Sequence, residues 1–106
     1  MNSGEWTKSE KKAARRAIET AYERETGAIG DEVRAKAASI KEPKDIWALC
    51  DFLNRKRKSI DSKYDFRYSV APFVLARLVR EGWLNREDLS GLSEEKLGQI
   101  DVILSL

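Results

Sequence analysis

The sequence predicts an all-α fold: a long antiparallel stalk of two helices with a compact C-terminal helical head. Three observations carry the prediction. Apolar Ile18, Tyr22, Ile29, Val33 and Ile40 recur at spacings of 4, 7, 4 and 7, an eleven-residue repeat that keeps one stripe on a nearly straight helix. Helix-start signals recur along the chain, and strand-like alternation of useful length is missing. The chain's 106 residues suffice for one domain with a modest core, so residues 1–106 read as a single unit: 1–6 a flexible N-terminus, 7–62 the stalk, 63–106 the head.

Thr7, Lys8, Ser9 and Glu10 form a capping box, in which the Thr7 hydroxyl and the Glu10 carboxylate satisfy free backbone N–H groups at a helix start. The helix that follows runs to about Ile40. Gly27 and Gly30 each cost it about 1 kcal/mol relative to Ala, but the apolar stripe stays in phase across both. At 1.5 Å per residue such a helix is about 50 Å long, against about 35 Å for a compact globule of this size. It overhangs its own head, and the simplest cover for its stripe is a second copy of the chain. Ile29, Val33 and Ile40 are the expected dimer contacts.

Pro43 ends that helix and suits the first turn of the next, from about Lys44 to Ser62. A third helix starts at a Ser69 N-cap, holds Pro72 in its first turn and runs through Phe73, Val74, Leu78 and Val79 to Gly82. Asn85 caps a short helix with Leu84 and Leu89 placed as a hydrophobic staple. Ser93 caps another, with Leu92 and Leu97 in the same relation, and Gly91 separates the two.

Charged residues make up 36% of the chain, yet the formal net charge is only +2, so no global field draws in a polyanion. Histidine is absent, and neither a Gly-rich phosphate loop nor a cysteine pair is present. An enzyme, a metal site and a cofactor are therefore not expected. The lone Cys50 forms no internal disulfide, and with no apolar run long enough to span a bilayer the expected compartment is the cytoplasm.

On a helical wheel of the second helix, Ile46, Leu49, Cys50, Leu53 and Ile60 share one apolar arc, and Arg57 falls in it. A charged guanidinium there either pairs with Asp61 one turn on or faces a partner. Trp47, Asp51, Asn54 and Lys58 line a polar arc, where an indole is either covered by another helix of the chain or anchors an interface. Arg55, Lys56, Arg57 and Lys58 spread over about 300° of the wheel and form no phosphate-tracking stripe. Lys56 and Lys58 are expected to face solvent.

The segment IWALCDFLNRKRKSIDSKYDFRYSVAPFVLARLVREGWL resembles the core of the cyanobacterial fluorescence recovery protein family. Its most specific pieces are W-x-x-x-D-F-L from Trp47, Arg57, I-D-x-K-Y-D from Ile60, FVLARLVREGWL from Phe73, and AYERE from Ala21. The resemblance implies an all-helical, homodimeric, non-enzymatic partner of the orange carotenoid protein, without cofactor. Family members bind the light-activated red photoreceptor, chiefly through its C-terminal domain. They speed its return to the orange form and promote its release from the phycobilisome. The implied partner surface maps onto Trp47, Asp51 and Arg57, with Trp47 also available to the dimer stalk. Phe73 matches a contact position, although its apolar helical setting favours core packing over contact. Cys50 stands where the family usually has a His, Ser62 where it has a Gly, Pro72 where it has an aliphatic residue, and Ile103, Leu104, Ser105 and Leu106 where it has a basic end. Two alternatives stand beside this reading: a helical adaptor for another regulatory protein, and a small nucleic-acid-binding protein.

Overall fold

The computed structural model describes residues 5–65 and 67–106. Helix α1 spans Lys8–Ala38, α2 Pro43–Lys63, α3 Ala71–Arg80 and α4 Glu94–Leu104, with a one-turn 3-10 helix at Arg86–Leu89. The molecule measures 61 × 26 × 21 Å, and its radius of gyration of 17.0 Å exceeds the roughly 13 Å of a compact chain this long. The excess is the stalk.

The Thr7–Glu10 box closes as expected: the Glu10 N–H donates to Thr7 Oγ1 at 3.0 Å and the Thr7 N–H to Glu10 Oε1 at 3.1 Å. From there α1 runs through both glycines without a break. Its first half lies in the core, where Ala14, Ala17, Ile18 and Ala21 pack with Leu75 and Leu78 of α3, Leu89, Leu92 and Ile100. Small alanines let α3 and the 3-10 turn approach the helix closely. The helix is therefore shared, head for its first half and stalk for its second.

At the turn into α2, Asp45 Oδ2 accepts from the N–H groups of Lys41 and Glu42, both at 3.0 Å. Ahead of α3 the structure departs from expectation. Val70, not Ser69, is the N-cap, because Ser69 sits in a turn in which the Arg67 and Tyr68 carbonyls accept from the N–H groups of Val70 and Ala71. Pro72 occupies the first turn as expected. Gly82, at φ +86°, ends α3 while the Leu78 carbonyl accepts from both Trp83 and Leu84. The element capped by Asn85 is a 3-10 turn, not an α-helix.

Polar contacts tie the head to α1 in addition to the core. Arg24 forks onto Asp88 at 2.8 and 3.2 Å and donates to the Trp83 carbonyl at 2.9 Å. Glu10 accepts from the Ser93 hydroxyl at 2.6 Å, so one carboxylate joins the N-termini of α1 and α4. Trp6 is not part of a free N-terminus: its ring lies 5.6 Å from Tyr68, with the Lys96 ammonium 4.6 Å from its centroid. Residues 1–4 of the expected flexible end lie outside the described residues.

Candidate functional site

Helix α2 meets α1 along a line that shares Leu49 and Ile60 with the predicted apolar arc and otherwise departs from it. Its buried and half-buried residues are Asp45, Leu49, Phe52, Lys56, Ile60 and Lys63, a spacing that follows one helical face. Phe52 is the centre of that contact, with the ammonium groups of Lys36 and Lys56 at 4.8 and 5.6 Å from its ring. Lys56 is thus drawn toward α1 and does not face solvent as expected, whereas Lys58 does.

The adjoining line, Ile46, Cys50, Leu53 and Arg57, is left open. Ile46 is 48% exposed and Leu53 40%, so most of the predicted seam has no cover within the chain. Tyr22, Thr26 and Ile29 of α1 join Leu53, Arg57 and Ile60 in lining a shallow groove of about 400 Å³ beside it. Val33 and Ile40 are half-buried farther along.

Trp47 is 66% exposed, so no other helix of the chain covers its indole. One turn on, Asp51 shares an open groove of about 620 Å³ with Asn54, Arg55, Arg57, Lys58 and Asp61. Arg57 does pair with Asp61, but at 3.8 Å and with 84% of its side chain exposed, a contact worth a few tenths of a kcal/mol at most. The guanidinium keeps its forked donors available. Cys50 is exposed on the apolar flank, with Asn54 Nδ2 3.8 Å from its sulfur.

Phe73 is 60% exposed, which overturns core packing. Because α3 buries Ala71, Pro72, Val74, Leu75, Ala76 and Leu78, the ring falls on the remaining outward face. It lines a separate groove together with Ser62, Lys63, Asp65, Val70, Val74 and Arg77. The structure thus brings Asp51 and Arg57 together with Trp47 one turn away, and puts Phe73 on a separate surface near the other end of α2.

Between the two surfaces lies a cluster that spacing alone does not reveal. The Lys63 ammonium, 4% exposed, donates to Glu25 Oε2 of α1 and to Glu81 Oε1 after α3, each at 2.6 Å. The Tyr64 hydroxyl donates to Glu25 Oε1 at 2.7 Å, and Arg77 Nε to Glu81 Oε2 at 2.9 Å. Burial pushes the Tyr64 hydroxyl's pKa up, and its bond to Glu25 adds to the rise. At Glu81 burial acts to raise the pKa, but hydrogen bonds from Lys63 and Arg77 win and hold the carboxyl below its ordinary range. The only trace in the sequence was that AYERE and I-D-x-K-Y-D, which supply Glu25, Lys63 and Tyr64, are both distinctive of the family resemblance.

Among the described residues, no group of His, Cys, Asp and Glu is placed to hold a metal ion. No helix among the described residues is long and apolar enough to cross a membrane.

Comparison with known proteins gives one consistent answer. The profile of the family described as photoprotection regulator fluorescence recovery protein matches residues 6–104. The fluorescence recovery protein of Synechocystis is 39% identical over 101 residues, 95% of this chain and 93% of that one. The structure of the Fremyella diplosiphon fluorescence recovery protein superposes with a TM-score of 0.90 at 43% identity, covering 96% of this chain and all of the other. That of the Synechocystis protein gives the same TM-score and coverage at 38% identity. With 99 of its residues inside the family's profile and its helices superposed on those of two members, this chain belongs to the fluorescence recovery protein family of photoprotection regulators.

Proposed function

We propose that this chain binds the light-activated orange carotenoid protein, chiefly through that protein's C-terminal domain, accelerates its return to the resting orange form and promotes its detachment from the phycobilisome. The observation that carries the reading is the exposed Trp47 indole beside Asp51 and Arg57, none of which the chain's own fold uses for packing. An aromatic anchor flanked by an acid and a forked base is what a protein interface needs at its centre. Cys50, at the edge of this patch, supplies a small thiol contact, and Phe73 offers a second apolar contact on the head. The action makes and breaks no covalent bond: a scaffold that holds two separated photoreceptor domains near one another lowers the cost of their re-docking.

A second copy of the chain is the proposed cover for the open stalk face, with Ile29, Val33, Ile40 and Trp47 at the dimer contact. The partner places the protein in the cytoplasm near the phycobilisome. The test is dark back-conversion of the photoactivated photoreceptor followed by absorbance. Addition of this chain is expected to speed the return, and an unchanged rate would overturn the proposal. Arg57→Leu is expected to reduce the acceleration about tenfold or more while helicity and melting stay as they are. Unfolding of that variant would instead mark Arg57 as a structural ion-pair residue.

A further inference from the structure

The cluster at the base of α2 does more than close the fold. We propose that Lys63 is a positioning residue: gripped by Glu25 and Glu81, it fixes the angle at which the stalk leaves the head, and with it the separation between the Trp47–Arg57 surface and Phe73. This inference rests on the partner-binding reading of those two surfaces.

A buried ion cluster is a weak source of stability, because the cost of removing its charges from water offsets most of the attraction. An apolar side chain would fill the same space. What ions add is direction. Lys63 is the last residue of α2, and its two carboxylate partners come from different elements, α1 and the end of α3, each at 2.6 Å. Each carboxylate is itself oriented by another donor, Glu25 by Tyr64 and Glu81 by Arg77. Charge-assisted bonds this short tolerate little displacement, so anchors on two sides restrict both tilt and rotation of the last turn of α2.

The rest of α2 needs that restriction. Besides Lys63 it buries only Phe52 and Ile60. Trp47 lies 16 residues before Lys63, about 24 Å along the helix, so a tilt of about 10° at the base moves the indole by about 4 Å. That is more than the reach of a hydrogen bond. The same cluster orients the other surface, since Phe73, Arg77 and Glu81 follow one another at four-residue intervals, and both Lys63 and Arg77 line the Phe73 groove.

The test uses Lys63→Met with Glu25→Gln, which removes the ion pair without stranding a buried charge; Glu81 keeps Arg77. Nitroxides are attached at Cys50, the chain's single cysteine, and at Gly98→Cys, an exposed position with open space for a side chain. The labelled chain is diluted into unlabelled chain so that only distances within one chain report. The unaltered background is expected to give a single narrow distance, and the double variant a distribution shifted or widened by about 3 Å with melting unchanged to within a few degrees. In the recovery assay, run without labels, the double variant is expected to lose about tenfold of its acceleration. Should it fail to fold, Glu81→Gln removes the α3 anchor alone and is read in the same way. An unaltered distance distribution overturns the positioning role, as does a widened one with full acceleration. If the unaltered chain has no effect on the photoreceptor, the proposed function falls, and the distance measurement still decides whether Lys63 sets the angle.

Discussion

The head and the stalk are built from the same kinds of residue and use them in opposite ways. In the head, Leu75, Leu78, Leu89 and Ile100 are almost fully buried, helix ends are capped, and every buried side-chain nitrogen or oxygen among the described residues has a partner. In the stalk, Ile46, Trp47 and Leu53 face outward, and Arg57 holds its partner Asp61 only loosely, at 3.8 Å with most of its side chain exposed. The difference teaches where the free energy of folding is generated and where surface is held in reserve. Apolar burial stabilises at about 25 cal/mol per Å², and here it is concentrated around the first half of α1.

Four perturbations would break or sharpen that contrast. The largest effect is expected from Leu78→Ala in the head, which should cost about 2–5 kcal/mol of unfolding free energy by chemical denaturation. Loss of no more than 1 kcal/mol would mean that the head is not the stable half. Next comes Val33→Glu on the stalk: with a second copy covering α1 as proposed, light scattering should show a shift from dimer to monomer with little change in the melting of the head, because that copy would desolvate the new charge without giving it a partner. A dimer that persists would place the contact elsewhere.

Acid should act more gently, and mainly on the head. Glu10 is held below its ordinary value by the Ser93 hydroxyl first and the Thr7 N–H second, and Asp88 is held down by Arg24 and then by the Asn85 N–H. For a carboxyl whose pKa is depressed by folding, the stabilisation is fully present above the unfolded value and is lost as pH falls through the folded one. Melting temperature should therefore be level above pH 5 and decline once the pH drops below about 4.5 for Glu10 and about 3.8 for Asp88. Glu10→Gln should flatten the first part of that decline. The smallest effect is expected at Gly27, which is exposed, helical and has nothing within 4 Å of an added Cβ. Gly27→Ala should stabilise by about 0.5–1 kcal/mol, and destabilisation would indicate that something docks on that face.

Much of this architecture was legible in the sequence because it is encoded locally. Capping boxes join residues three positions apart, staples five, and Thr7, Asn85 and Ser93 each announce a helix start that the structure contains. The eleven-residue repeat carried α1 through two glycines. What the wheel left unassigned was the face of α2 that meets α1, because it weighted apolar residues alike. Phe52 won that contact through two ammonium groups, one of them from Lys36 on the other helix. Phe73 was obscured for a related reason: in so apolar a segment, nothing in the local pattern distinguishes the one residue left facing outward. The Lys63 cluster was out of reach altogether, since it joins residues 38 and 18 positions apart and no helical period encodes such a pairing.

The uninterrupted course of α1 from core to stalk has a thermodynamic consequence. Anything that binds only the folded stalk adds its own binding free energy to the unfolding free energy of the whole chain, head included. The head's melting temperature therefore works as a gauge of how fully the stalk is occupied. It should climb with protein concentration if a second copy sits there, and climb again when a tighter ligand is supplied. Trp6 and Trp83, both packed against the core, are built-in fluorophores for that reading once Trp47 is replaced by Phe.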